Sequence, residues 1–302
     1  MFIVIAAGLA GRIEDAFDRC ERWEKRSGCR VAAICVLGDL PLEHDFSHVS
    51  STGKTPRVPG SPTSRASAQR ATAVADLVHG RKAPRFPLLF LAGERDDFAL
   101  LARYRLSSHV LQLDRQLDPE LNQAPVPSGE KLPMVYLHSG DMLEVALAGE
   151  SVRIGALSMF GSGPAPSSAG NRTGTQRGGP GRQRRGSGPV HSSRADSRRL
   201  LSLAPGSLDL LLSHDAPDLS DFGDGDSDGV VPGEGPSPGA LFVKTLDRVR
   251  PALGIHGHGS RMMRSYTRGS TQVVSLPPWP VGRDAGVMSL VNTKRRFVEK
   301  LP

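Results

Sequence analysis

Apolar runs of strand length recur along this chain, and most of them end on a polar side chain. The run VAAICVL leads into Gly38-Asp39, FPLLFLA into Gly93-Glu94-Arg95-Asp96-Asp97, LDLLL into Ser213-His214-Asp215, and ALGI into His256-Gly257-His258. The opening segment IVIAAGLAG reads as a first buried strand. It is followed by IEDAFDRCERWEKRSG, whose apolar positions Ile13, Ala16, Phe17, Cys20 and Trp23 fall at helical spacing. SAQRATAVADLVHG and GALFVKTLDRVRP predict two more helices, and a short one is expected to begin near Asp97. MVYLHSG, DMLEVALAG and SVRIGALSMF predict short, turn-separated antiparallel strands, and TQVVSLP one more strand near the end. Strand–helix alternation at both ends, with β-rich sequence between, predicts an α/β protein of two packed sheets flanked by helices. No internal repeat is visible.

Where a buried strand ends in Asp, Glu or His, that side chain is delivered to the carboxyl edge of a sheet, where open α/β folds build their sites. One Asp after a strand is most often a helix cap, and one His a satisfied core or surface group. Four such groups after four strands are harder to ascribe to chance. Oxygen and imidazole donors arriving from several strand ends suit a hydrolytic metal centre.

Composition refines this picture. A chain of 302 residues, 38% apolar with 34 Gly and 24 Pro, holds an ordered core interrupted by long loops. No stretch approaches the roughly 20 apolar residues of a membrane span, and the opening run leads into acidic helix rather than a cleavage site. Cys20, Cys29 and Cys35 are odd in number and lack paired metal spacing, which predicts reduced thiols in a cytoplasmic protein without membrane association. The net charge of +7 is concentrated: Arg172 to Arg199 carries eight arginines against one acid, Asp196. The Gly/Ser/Pro/Arg-rich stretch around it is too poor in apolar residues to offset its ordering entropy. It therefore predicts a disordered insertion over 161–199 that divides one domain into 1–160 and 200–302. Residues 172–199 are also a candidate nucleic-acid contact, with a solvated insertion as the plainer reading.

Two further motifs fail on their own terms. Gly53-Lys54-Thr55 lacks the upstream glycine of a phosphate-binding loop, His48 standing in its place, and is followed by Pro56. Asp224, Asp226 and Asp228 resemble the start of a calcium loop, but its twelfth position is Gly235 instead of a bidentate Glu.

Taken in order, GD, G-x-x-D/E, SHD-x-P and GH resemble the calcineurin-like metallophosphoesterases, with a flavour of the lariat-debranching-like and small bacterial members. The supporting segments are GDL at Gly38–Leu40, LFLAGERDD at Leu89–Asp97, VRIGALS at Val152–Ser158, LLLSHDAP at Leu211–Pro217 and HGHGSR at His256–Arg261. The resemblance implies a four-layer α/β/β/α sandwich and a site for two metal ions bridged by the Asp of GD, here Asp39. It also implies that the first ion takes an Asp and a His from a D-x-H segment and the last His of G-H-x-H. Those positions read Gly8, Ala10 and Ser260 in this chain. The second ion keeps Asp39, His214 and His258, with Glu94 where the family has Asn. In a shifted register His256-Gly257-His258 is itself the final H-x-H pair, which adds His256 to the ligands and restores one of them to the first ion. The family's catalytic His corresponds to Arg95, which cannot act as a general acid near neutral pH but can hold a phosphate oxygen.

The expectation is a phosphoester hydrolase scaffold with one metal half-site retained and one lost, and weak or no hydrolysis. It would bind one divalent ion (manganese, iron or zinc) or none, and a phosphorylated small molecule or nucleotide. The alternative is an inactive pseudo-phosphoesterase serving as a binding or regulatory module, associated with nucleic acid through the arginine-rich insertion. The arginines have no aromatic among them to stack on bases, which weighs against a dedicated nucleic-acid binder.

Overall fold

The computed structural model describes residues 2–9, 11–38, 73–93, 96, 104, 110–112, 133–147, 150–158, 194–217, 238–257, 263–277, 288–292 and 298–300. They form an α/β fold with two mixed sheets. One has six strands, in the order β13 (Val298–Lys300), β12 (Met288–Asn292), β1 (Phe2–Ala7), β2 (Val31–Leu37), β3 (Leu88–Leu91) and β5 (Met134–Leu137). The other has seven, in the order β10 (Arg264–Arg268), β11 (Thr271–Ser275), β9 (Leu253–His256), β8 (Leu210–Ser213), β7 (Glu150–Leu157), β6 (Met142–Leu147) and β4 (Val110–Gln112). Strands β1, β2, β3 and β5 run parallel, as do β7, β8, β9 and β11.

Alternation along each strand sorts the apolar residues into clusters. One cluster unites Ile3, Ile5, Cys35, Leu37, Leu89 and Leu137 of the first sheet with Val145, Ile154, Leu212 and Ile255 of the second. The opposite face of the first sheet, with Val4, Ile34 and Phe90, packs on helix α1 (Ile13–Ser27) through Phe17, Cys20 and Trp23. On the second sheet, Leu157, Leu211 and Val273 meet Leu200 of helix α2 (Arg194–Leu201) and Leu241, Phe242 and Leu246 of helix α3 (Pro238–Val249). Helix α1 forms where its apolar spacing predicts. Glu14 and Asp15 stand in its first turn and Lys25 and Arg26 in its last, which suits the macrodipole. It stops at Gly28, whose left-handed φ of 67° lets its N–H cap the Glu24 carbonyl.

Three expectations change. The pattern of MVYL predicts an antiparallel set with its successors; β6 and β7 do pair antiparallel, but β5 joins the other sheet, parallel to β3. Val135 and Leu137 belong to the inter-sheet cluster while Tyr136 packs on the helix side, so β5 requires cover on both faces and finds it beside β3. The predicted disordered insertion runs to Arg199, yet Arg194 to Arg199 lie in α2, which Leu200 anchors by complete burial. Finally, β4, β10, β12 and β13 are added strands, β4 pairing with β6, β10 with β11 and β12 with β1. Among the described residues no helix is long and apolar enough to cross a membrane.

Candidate functional site

The carboxyl ends of the parallel strands of both sheets meet along one edge, strand facing strand. His214, just after β8, lies against Leu37 at the end of β2: its Nδ1 is 2.9 Å from the Leu37 carbonyl oxygen. Gly257, after β9, lies against Ala7 at the end of β1, since a Cβ on it would come 3.2 Å from Ala7 Cβ. Ser158, after β7, accepts a 3.0 Å hydrogen bond from the Ala92 N–H after β3. The turn His138–Asp141 carries the chain from β5 to β6 and closes this edge.

His214 is held in one orientation. It is 2% exposed, and a carbonyl oxygen only accepts, so Nδ1 carries the proton in its bond to Leu37. In the neutral ring the lone pair is then on Nε2, the arrangement by which a backbone carbonyl fixes the tautomer of a metal-ligating histidine. Two glycines make room for the ring. A Cβ on Gly38 would lie 2.7 Å from His214 Cε1 and 2.8 Å from Cγ, and its φ of 74° already disfavours any side chain. A Cβ on Gly257 would come 3.1 Å from the His214 carbonyl oxygen. The glycines of the GD and GH motifs thus serve close packing of the two sheets around His214.

His256 faces the other way. Along β9, Leu253 and Ile255 join the inter-sheet cluster, while a Cβ on Gly254 would meet Leu246 and Phe242 of α3. His256 follows that alternation and sits edge-on to Phe242 at 5.7 Å, with Nδ1 3.0 Å from the Gly257 carbonyl oxygen. Burial holds its pKa below the usual histidine value against the opposing effect of that hydrogen bond. The structure therefore does not bring His214 and His256 to the same face of the sheet.

At the end of β3 two successive amides are captured. Ala92 N–H donates to Ser158 Oγ, and Gly93 N–H donates to Asp96 Oδ2 at 2.8 Å. Tyr136 Oη lies 3.3 Å from Ser158 Oγ, so strands β3, β5 and β7 share one polar knot. Further along the edge, His138 N–H donates to Asp141 Oδ2 at 3.0 Å and Arg199 Nη1 donates to Asp141 Oδ1 at 3.2 Å. Sequence reasoning missed His138, Asp141, Ser158 and Arg199. The signal for the first two was present, since HSGD follows the strand MVYL much as SHD follows LDLLL. Arg199 was hidden by its reading as the end of a disordered tract.

Asp39, Glu94, Arg95 and His258 lie outside the described residues, as do Ala10, Ser260, Gly53–Thr55 and residues 224–229. Their chain neighbours Gly38, Gly93 and Gly257 lie within them. Among the described residues no three His, Cys, Asp or Glu side chains form a group that could hold a metal ion. All three cysteines are free thiols, Cys20 and Cys35 buried and Cys29 half-buried.

No protein-family model and no curated protein matches the chain. Solved structures do. The protein TT1561 of Thermus thermophilus matches at 12% identity and a TM-score of 0.46, over 99% of this chain and 97% of that one. A second solved chain matches at 12% identity and 0.48, with the same coverages of 99% and 97%. Hypothetical protein PH1004 from Pyrococcus horikoshii matches at 11% identity and 0.37, over 99% of this chain and 86% of that one. Likeness at this level carries no argument for function.

Proposed function

We propose that this chain is a phosphoester hydrolase scaffold of the metallophosphoesterase type, with its sheets and helices layered α/β/β/α and its site on the shared carboxyl edge. Asp39, Glu94, His214 and His258 would hold one divalent ion, manganese, iron or zinc, with Arg95 contacting a phosphate oxygen. The observation that supports this is the His214–Leu37 bond: a buried imidazole, tautomer set by a backbone carbonyl, at the edge where two sheets deliver their strand ends. A neutral ring with its proton on Nδ1 keeps a lone pair on Nε2, so the donor chemistry fits a metal ion.

A divalent ion bound there would supply positive charge to a phosphoryl oxygen and lower the pKa of a bound water. The chain's own residues orient and restrict. Ser158 and Asp96 fix the backbone of Ala92 and Gly93, the two residues preceding Glu94 and Arg95. Gly38 and Gly257 hold His214 between the sheets. With Gly8, Ala10 and Ser260 where three further ligands are expected, hydrolysis is weak or absent. The second reading is a pseudoenzyme, a cytoplasmic binding or regulatory module that takes a phosphorylated small molecule or a nucleic acid. It is favoured by Gly8, whose left-handed φ of 52° suits glycine better than a ligating Asp.

Elemental analysis of the purified chain, together with bis-p-nitrophenyl phosphate turnover in added manganese, tests both readings. About one ion per chain, lost in His214→Ala, supports the half-site. No ion under any loading condition leaves the pseudoenzyme. Robust turnover that survives His214→Ala would overturn the half-site reading.

A further inference from the structure

We propose that the carboxyl edge extends beyond His214 into a second anion-binding position formed by His138 and by Arg199, which Asp141 positions. The ligand would then be a phosphodiester flanked by a second phosphate, such as a 5′-phosphorylated oligonucleotide end. The inference rests on the phosphoesterase reading for the first phosphate and on independent residues for the second.

The placement follows from the sheet orders. His214 stands over the β2/β8 pair of strand ends, and the turn His138–Asp141 over the β5/β6 pair, two strands further along each sheet. At a strand spacing of about 4.8 Å this puts the turn roughly 10 Å from His214 along the edge. A single phosphoester does not bridge that interval, but two phosphates separated by a nucleoside do.

The turn is rigid. Asp141 N–H donates to the His138 carbonyl at 3.0 Å, and Gly140 N–H donates to the Ala156 carbonyl of β7 at 2.8 Å. Asp141 is largely buried, its side chain 12% exposed, whereas that of Arg199 is 48% exposed. One carboxylate oxygen serves His138 N–H and the other serves Arg199 Nη1. Among the described residues the Arg199 guanidinium makes no other hydrogen bond, although the Arg199 carbonyl accepts from Ser202 Oγ, so most of its planar donor fork is left for a ligand while one nitrogen stays anchored. That is the disposition of an arginine that takes a phosphate in bidentate fashion.

Two neighbours strengthen the position. His138 is only half-buried, and its ring is oriented by Tyr136 at 6.0 Å and by a 3.0 Å contact from Nδ1 to the Ser139 carbonyl. The Ser139 hydroxyl in the same turn is fully buried and has no hydrogen-bond partner among the described residues. A native buried hydroxyl rarely stays unsatisfied, so the turn that carries His138 and Asp141 holds one unmet polar group. An exposed ion pair of purely structural use would show none of these features together. Arg199 and His138 are thus binding residues, and Asp141 is a positioning residue.

The test compares dithymidylate with its 5′-phosphorylated form by isothermal titration calorimetry, using the full chain in manganese. The native protein should bind the phosphorylated probe about ten-fold more tightly, the scale of one charge-assisted hydrogen bond. R199Q should reduce the ratio of the two Kd values to near one without changing the Kd for plain dithymidylate. R199K should restore part of the ratio, and D141N should lower it several-fold. H214A or chelation should weaken both probes equally and leave the ratio intact. If H214A and chelation leave dithymidylate binding untouched while the ratio still depends on Arg199, the phosphoesterase reading fails and the anion position stands. A ratio of one in the native protein, or one unmoved by R199Q, overturns the position itself.

Discussion

Gly38 and His214 occupy one another's space: the imidazole lies so close over the Gly38 backbone that a methyl there would sit 2.7 Å from Cε1 and 2.8 Å from Cγ. Gly38→Ala therefore carries two penalties. The left-handed φ of 74° costs about 1–2 kcal/mol for a residue with a Cβ. Displacing a fully packed ring adds ~1–3 kcal/mol. Urea unfolding should show the sum, and metal binding should be lost even in the fraction that remains folded. Native-like affinity in Gly38→Ala would show that the ring's seat has nothing to do with ligation.

The same pair shows how far the strand ends were legible in the chain. The ends at Gly38, His214 and His256 were readable because each closes a run of strand length rich in apolar residues, and such runs announce strands buried on both faces. Register and facing were not readable. Nothing in HGH distinguishes the histidine that faces helix α3 from its neighbour; Phe242 and the alternation along β9 decide it. The short run of strand β5 is compatible with either sheet, so its partners are not legible in the chain; burial of Val135 and Leu137 on one face and of Tyr136, stacked on Phe90, on the other decides them. RSYTR of β10 has no apolar pattern, since at the sheet margin Arg264, Ser265 and Thr267 are exposed.

Ser158 is the hinge of a second prediction. Its hydroxyl accepts from Ala92 N–H, which is fully buried, and neighbours Tyr136 Oη. Ser158→Ala leaves that amide without its partner and should cost about 1–3 kcal/mol. Tyr136→Phe removes a longer, shared contact and should cost only ~0.5–1.5 kcal/mol. The two substitutions should be non-additive in a double-mutant cycle followed by thermal unfolding, because they share one oxygen. Strict additivity would separate the tyrosine from the knot.

Thiol chemistry checks the core. Burial pushes the Cys20 thiol up to about 12 and raises that of Cys35 as well, so neither presents thiolate near neutral pH. Cys29, half-buried just past the cap of α1, is the accessible one. A disulfide reagent at pH 8 should modify one thiol per native chain quickly and all three only in denaturant. Fast modification of Cys35 would mean that the inter-sheet cluster opens readily.

The proposed loss of half of a metal site makes the most demanding prediction, and Gly8 is the one of its three positions whose backbone is described. Gly8 follows β1 with φ at 52°, a backbone that Asp tolerates better than most residues but less readily than glycine. Gly8→Asp alone should therefore lower stability modestly and bind nothing new, since one carboxylate does not complete a coordination shell. Combined with Ala10→His and Ser260→His, it should raise metal content from about one ion to about two per chain. The added ligation should recover the stability lost at Gly8 when manganese is present, because an ion bound only by the folded chain stabilises it by mass action. Turnover of bis-p-nitrophenyl phosphate should rise in parallel and fall again in His214→Ala. Arg95 would still stand where the family has its general acid, so the gain should be largest for substrates whose leaving group needs no proton, as p-nitrophenolate does not. A folded triple variant whose metal content and manganese-dependent melting temperature match the native chain would show that Gly8, Ala10 and Ser260 are not the vacated ligand positions.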